Sequence, residues 1–223
     1  MSEIKTIEIK KSVFSDNTKI ANEIRANLKE KGIFLLNLMS SPGSGKTTTL
    51  INLINRLKSK LKIAVMEADV DSNVDAEKIK NATGIQTLQI HTGGLCHMDA
   101  SMVKQGIENL DLSNVDLCIL ENVGNLVCPA EFDTGASLNI MLLSVPEGDD
   151  KPIKYPLMFS TVDLVVVNKI DVLELFNFDM KKFEINVKAR NPNTKIMKIS
   201  AKTGFGVQDL ADFILDFALK FKN

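Results

Sequence analysis

The chain has 223 residues, 44% of them hydrophobic and 25% charged, and a formal net charge of −1. That is enough apolar material and length for one globular α/β domain, and the near-zero charge excludes a global field that would attract nucleic acid or an anionic membrane surface. The start, Met1–Lys10, is charged and lacks the apolar run of a signal peptide, and no apolar stretch reaches the ~20 residues needed to cross a bilayer, so a cytoplasmic protein without nucleic-acid or membrane partners is expected.

In chain order, Ile20, Ile24 and Leu28 recur at four-residue spacing and predict an amphipathic helix ending near Gly32. Residues 1–30 are read as an N-terminal helical extension and residues 31–223 as the main domain. From there short apolar runs alternate with helical patterns: Ile33–Met39, Ile63–Met66, Thr87–Ile90, Leu117–Leu120, Ile140–Val145, Leu164–Val167 and Ile196–Ile199. Strands apolar on both faces belong in a parallel sheet covered by helices. Alternation at this spacing implies a doubly wound, mostly parallel α/β fold with helices on both faces. Such sheets bind ligands beyond the carboxyl ends of their strands, so the chemistry should follow the runs.

The first run leads into Ser40-Ser41-Pro42-Gly43-Ser44-Gly45-Lys46-Thr47, followed by the helical pattern Thr48–Leu57. This matches the phosphate-loop pattern G-x-x-x-x-G-K-[ST], with Ser40 in place of the first glycine. Gly43 and Gly45 let the backbone turn its N–H groups onto phosphate oxygens, and the helix start adds its positive dipole end. Lys46 should reach the β- and γ-phosphates and Thr47 should ligate magnesium; Gly43, Ser44, Gly45, Lys46, Thr47 and Thr48 form the expected phosphate set. After the second run, Glu67-Ala68-Asp69 brings a candidate magnesium ligand in Asp69, while Asp75 either positions an attacking water or is a helix-start acid.

Two further loops carry metal-binding chemistry. His91-Thr92-Gly93-Gly94-Leu95-Cys96-His97-Met98 follows the third run and offers an adjacent thiol and imidazole to a soft or borderline metal. Glu121-Asn122-Val123-Gly124-Asn125-Leu126-Val127-Cys128-Pro129 follows the fourth. Its start looks like a D-x-x-G switch with glutamate for aspartate: Glu121 can hold magnesium directly or through water, and Gly124 can offer its N–H to the γ-phosphate. Cys128 is the third candidate metal ligand, His91 a weaker one, and Cys118, inside an apolar run, is read as buried structure.

Asn168-Lys169-Ile170-Asp171 resembles the guanine-reading N-K-x-D motif of GTPases, and Ser200-Ala201-Lys202 the loop that completes base recognition. One Asp171 carboxylate can accept from both the N1–H and the exocyclic amine of guanine. Adenine offers no such pair and would leave the acid unmet.

Together, Ser41–Thr47, Cys96-His97, Glu121–Pro129 and Pro146-Glu147-Gly148-Asp149-Asp150 resemble the nickel-insertion GTPases of hydrogenase maturation, the HypB family of P-loop proteins. The resemblance implies a slow, magnesium-dependent conversion of GTP to GDP and phosphate, and a site for Ni2+ or Zn2+ at Cys96, His97 and Cys128. It also implies a homodimer formed on GTP or metal binding, a HypA-type nickel accessory protein as partner, and the large subunit of nickel–iron hydrogenase as recipient. Slow turnover also accords with the arginines, since Arg25, Arg56 and Arg190 all lie outside the switch segments. Some family members carry a cysteine-rich or histidine-rich N-terminal nickel motif; here no Cys or His precedes His91, so that role does not transfer. The alternatives are a nickel-insertion GTPase serving urease, whose metal motif is a Cys-Pro-His run, and a small-molecule kinase or ATPase on the same phosphate loop.

Overall fold

The computed structural model describes residues 5–8 and 17–222. In chain order the elements are β1 (Lys5–Glu8), α1 (Asn17–Glu30), β2 (Phe34–Ser40), α2 (Lys46–Leu57), β3 (Ile63–Asp69), α3 (Val74–Thr83) and β4 (Gln86–His91). They continue with α4 (Ala100–Glu108), β5 (Leu117–Glu121), α5 (Cys128–Glu131), β6 (Leu138–Ser144), α6 (Lys151–Lys154) and α7 (Pro156–Thr161). The last are β7 (Leu164–Asn168), α8 (Met180–Arg190), β8 (Lys195–Lys198) and α9 (Val207–Lys222). The strands form one sheet in the order β1-β4-β3-β5-β2-β6-β7-β8, and every neighbouring pair is parallel. The fold is the doubly wound P-loop arrangement, and its sheet is parallel throughout rather than mostly so.

The alternation of each strand decides which helices it meets. Leu36, Leu38, Val65 and Ile119 point to the face covered by α2, α3 and α9, where they meet Leu50, Ile54, Ile79 and Ile214. Leu35, Met66, Leu88 and Leu120 point to the opposite face, under α1 and α4. Met141, Leu143, Val165 and Val167 continue that face under α7 and α8, against Phe159 and Phe183. Burial on both faces is what the near-continuous apolar runs require.

The N-terminal stretch differs from a purely helical extension. Lys5–Glu8 is a strand that pairs with β4 at the sheet edge. Helix α1 buries Ala21, Ile24 and Leu28 in the same core as β2 and β5. Four residues, half of them charged, carry too short an alternation to read as a strand; partnership with β4 defines it. Among the described residues no helix is long and apolar enough to cross a membrane.

The order of strands changes direction at β2, with β5 on one side and β6 on the other. That is the topological switch point, where a crevice opens beyond the carboxyl ends of the strands. Leu50 of α2 is fully buried beneath that crevice. Leu50→Ala is expected to lower unfolding free energy by about 2–5 kcal/mol, measured by denaturant titration; a change below about 1 kcal/mol would show that the site collapses without a cavity.

Candidate nucleotide and metal sites

The phosphate loop leaves β2 at Ser40 and enters α2 at Lys46. Ser40 is buried and has no left-handed backbone, since Lys169 is the sole non-glycine with positive φ among the described residues. Its hydroxyl donates to the Ser41 carbonyl at 2.7 Å and accepts from the Ser44 hydroxyl at 2.8 Å. The serine in the first glycine position therefore braces the loop from inside. Ser41 donates to Glu147, whose other oxygen accepts from Ser144 N and Oγ at 2.7 and 2.8 Å, so the Pro146–Asp150 segment is pinned to the loop entry. Gly45 has φ of 96°, and a Cβ there would lie 2.6 Å from Asn168 Nδ2.

That close approach joins the phosphate loop to the segment Asn168–Asp171, distant in sequence. Asn168, at the end of β7 and buried, donates from Nδ2 to the Ser44 carbonyl at 2.9 Å. Its Oδ1 accepts from Ala201 N at 3.0 Å. Lys169, with φ of 62°, donates from Nζ to the Gly43 carbonyl at 2.7 Å. Asp171 Oδ1 accepts from Ser200 Oγ at 2.6 Å, which fixes the carboxylate plane. The three segments thus meet as one site, with Thr48 and Lys202 exposed at its margin.

Behind the loop lie the acids. Thr47 Oγ1 donates to Glu121 Oε1 at 3.2 Å. Glu121 and Glu67 are direct register partners on β5 and β3, and with Asp75 their ligand atoms all lie within 4.8 Å of one another. Burial, then the neighbouring Glu121 charge, pushes Glu67 up to about 8. Burial pushes Glu121 up to about 7 against the pull of the Lys46 charge. Glu67 Oε2 and Glu121 Oε2 are buried with no hydrogen-bond partner. Orphaned carboxylate oxygens beside a threonine hydroxyl are a hard oxygen donor set, which fits magnesium; Thr47, Glu121 and Glu67 are the residues that would hold it.

Asp69 is not drawn into this group. Its Oδ1 accepts from Asp71 N at 3.1 Å and Ser72 N at 2.9 Å, forming the turn after β3. Glu67, two residues earlier on the same strand face, stands in the cluster instead. Sequence reasoning passed it over; the available signal was that Glu67 and Glu121 end adjacent strands at the same level. Asp75 lies in the first turn of α3, as a helix-start acid does, and its carboxylate also stands in the acid group; Lys78 pairs with it at 2.9 Å.

A second cluster lies further along the same edge. Cys96 Sγ and Cys128 Sγ are 2.9 Å apart, Cys96 Sγ is 4.0 Å from His97 Nδ1, and the three ligand atoms lie within 4.8 Å of one another. The His97 ring stacks on Phe132 at 3.7 Å between centroids, which holds its plane. Asn125 bridges the two loops, with Nδ2 donating to the Cys96 carbonyl at 3.4 Å and Oδ1 accepting from Val127 N at 2.9 Å. His91 lies outside the trio and meets Asn73 Oδ1 at 2.8 Å through Nε2. Cys118 is fully buried in β5, and burial pushes its thiol up to about 12, so it stays protonated and inert. The segment from Glu121 to Cys128 spans both clusters. Midway, Gly124 presses on the phosphate loop, where a Cβ would stand 3.2 Å from Pro42 N.

Residues 34–198 match the family model described as CobW/HypB/UreG, nucleotide-binding domain. The hydrogenase maturation factor HypB of Rhizobium leguminosarum is 42% identical over 93% of this chain and 69% of its own length. This chain belongs to the HypB family. The HypB of Escherichia coli K12 is 41% identical over 96% of this chain and 73% of its own length. The crystal structure of HypB from Helicobacter pylori in complex with nickel superposes with a TM-score of 0.87 at 40% identity, covering 92% of this chain and 96% of that one. HypB from Archaeoglobus fulgidus gives a TM-score of 0.85 at 36% identity, over 92% and 100%.

The contact between Gly45 and Asn168 makes a specific claim on this HypB-family chain. Gly45→Ala forces its Cβ against Asn168 and strains a left-handed backbone. Guanine-nucleotide affinity is expected to fall by at least about tenfold, the equivalent of one lost buried hydrogen bond, in calorimetric titration with GDP. Parent-like affinity would show that the loop does not rest on the Asn168 amide.

Proposed function

We propose that this protein is a GTP-binding and GTP-hydrolysing metallochaperone that assists nickel insertion into nickel–iron hydrogenase. The observation that carries the reading is the single segment 121–128, with the switch acid at one end, Gly124 against the phosphate loop, and the Cys128 thiol at the other end. Lys46 and the loop N–H groups bind the β- and γ-phosphates; Asn168, Lys169, Asp171, Ser200, Ala201 and Lys202 bind the base. Magnesium, when bound, neutralises charge developing on the phosphates. Thr47 and the acid pair Glu67 and Glu121 hold its place, and Asp75 orients the water near the γ-phosphate. The three arginines bond elsewhere, Arg25 to Asp133, Arg56 to Asn52 and Arg190 to the Pro152 carbonyl, so intrinsic hydrolysis without a group in cis is slow.

Cys96, His97 and Cys128 carry the cargo, Ni2+ or Zn2+. Three ligands leave a coordination position open for transfer or for a second chain in a GTP- or metal-dependent homodimer. The nickel complex of the Helicobacter pylori relative supports nickel as the cargo. A HypA-type accessory protein and the hydrogenase large subunit are the partners on this reading, in the cytoplasm. A second recipient has support of its own: the Helicobacter hepaticus relative, 41% identical, is a hydrogenase/urease maturation factor. The assembly of Asn168, Asp171 and Ser200 beside the phosphate loop and the family favour this reading over a small-molecule kinase or ATPase.

Two expectations follow. Asp171→Asn should lower GTP affinity by about tenfold or more and raise xanthosine nucleotide affinity, because the amide cannot accept from both guanine donors; unchanged GTP binding would remove Asp171 from the base site. In titrations with Ni2+ and Zn2+ at matched dimer fraction, Cys96→Ser and Cys128→Ser should each weaken both metals, and Cys118→Ser neither. The parent's metal affinity should differ between GDP and a non-hydrolysable GTP analogue by a factor in the usual range of roughly 5–150, with the affinity ratio of analogue to GDP shifted by the same factor on adding metal because linkage is reciprocal. Equal metal affinities in the two states would end the coupled reading.

A further inference from the structure

A metal site built on two loops responds to a switch only if the loops do not travel together. Cys128 belongs to the segment that begins at Glu121, whereas Cys96 and His97 follow β4. Asn125 ties the two loops to each other through the Cys96 carbonyl, and left to itself this tie would let both move as one body. A second tie opposes it. Asn122, fully buried directly after β5, accepts at Oδ1 from Met98 N at 3.3 Å and from Val123 N at 2.9 Å. Its Nδ2 donates to Asn37 Oδ1 at 3.2 Å, and Asn37 Nδ2 donates to Asn139 Oδ1 at 3.0 Å.

These bonds all run one way: Met98 N–H to Asn122, Asn122 to Asn37, Asn37 to Asn139. Turning either Asn122 or Asn37 over would set donor against donor and acceptor against acceptor. The row is therefore specified, and it crosses a core face otherwise filled by Leu35, Cys118, Leu120 and Met102. A buried polar group retained among such neighbours keeps its partner, because loss leaves it unmet away from water. Asn37 lies within β2 and Asn139 within β6, at the middle of the sheet. The Met98 N–H, one residue after His97, is thus fastened to the rigid centre and not to the part of the segment that touches the phosphate loop.

We infer that Asn122 is a positioning residue that anchors the Cys96–His97 loop to the sheet, so that nucleotide-driven movement of residues 124–128 changes the spacing of the metal ligands instead of carrying both loops along. This rests on the coupled reading proposed above and names its fixed point. Gly124 senses the phosphate loop, Cys128 moves with it, and Asn122 holds the other two ligands still. Without the anchor, Asn125 and the metal itself keep the two loops together, and metal binding persists while losing its dependence on nucleotide.

The test is titration of Ni2+ and of Zn2+ into the full chain loaded with GDP or with a non-hydrolysable GTP analogue, for the parent, Asn122→Leu and Asn139→Leu. The parent should show a ratio between states within the usual roughly 5–150-fold. Asn122→Leu should bind both metals with a ratio close to one. Asn139→Leu perturbs the same core row but leaves the Asn122–Met98 bond, and should keep the parent ratio. A parent ratio of one would end both the coupled reading and this inference. A parent ratio that survives in Asn122→Leu, or collapses equally in Asn139→Leu, would overturn the anchor alone, as would loss of metal binding in every state by a folded Asn122→Leu protein. Amide exchange in the parent supplies a measurement independent of folding of the variants. Met98 should be equally protected in both nucleotide states while Cys128 is not, and nucleotide-dependent protection of Met98 would overturn the anchor.

Discussion

All neighbouring strands of this sheet run in the same direction, and that constraint places every functional loop on one edge. A parallel strand cannot be followed directly by its neighbour; the chain must return through a crossover on one face. Each carboxyl end is then free to carry a loop, and the loops of distant sequence segments meet. Ser44 and Asn168 are 124 residues apart and share a 2.9 Å hydrogen bond for this reason. The reversal of strand order at β2 opens the crevice in which the phosphate loop can face both the acids on β3 and β5 and the Asn168–Asp171 segment at the end of β7.

Within that geometry, two kinds of buried polar group do different things. Glu67 and Glu121 face each other with one oxygen each lacking a partner, so their burial raises both proton affinities. Like charges held together at such a spot favour a cation, and Thr47 completes an oxygen set for one. The asparagines are satisfied instead. Asn168 uses both ends of its amide to tie the phosphate loop to the Ala201 segment, and Asn122 and Asn37 likewise use both ends across the sheet centre. Unmet oxygens mark where a ligand's charge belongs; satisfied amides mark where the scaffold holds still. The thiols divide along the same line: Cys118 is sealed in β5, while Cys96, on a loop, and Cys128, at the start of α5, sit half-buried beside a histidine.

The proposed link between nucleotide and metal depends on chain connectivity as much as contact. From Glu121 to Cys128 the chain leaves β5, touches Thr47, passes Pro42 at Gly124, and enters α5 at the metal trio. A segment this short cannot change at one end and remain indifferent at the other unless something within it absorbs the change. In the proposed switch, the glycine at 124 belongs to the moving part and the satisfied amide at 122 to the held part, the form a two-state switch takes in nucleotide-binding proteins.

The sequence by itself determined the elements whose signal is local. Seven apolar runs became strands because their apolar patterns mark burial, on both faces for all but the edge strand β8, which is only half-buried, and the phosphate loop, Asn168–Asp171 and the Cys96, His97 and Cys128 cluster were legible because backbone geometry and donor chemistry restrict residue type at fixed spacing. What needed tertiary structure was everything set by lateral neighbours. Lys5–Glu8 is a strand because β4 offers an open edge, not because four half-charged residues favour one. Glu67 joins the acid cluster, and Asp69 folds onto its own turn, because register sets Glu67 beside Glu121. Ser40 replaces a glycine because Ser44 supplies a partner for its hydroxyl inside the loop. His91, adjacent in sequence to the metal loop, turns to Asn73 instead, and Asn122 reaches Met98 across 24 residues. Periodicity and motif spacing report what a residue does to its own segment; register and packing decide which other segment it meets, and that pairing is fixed only when the whole sheet closes.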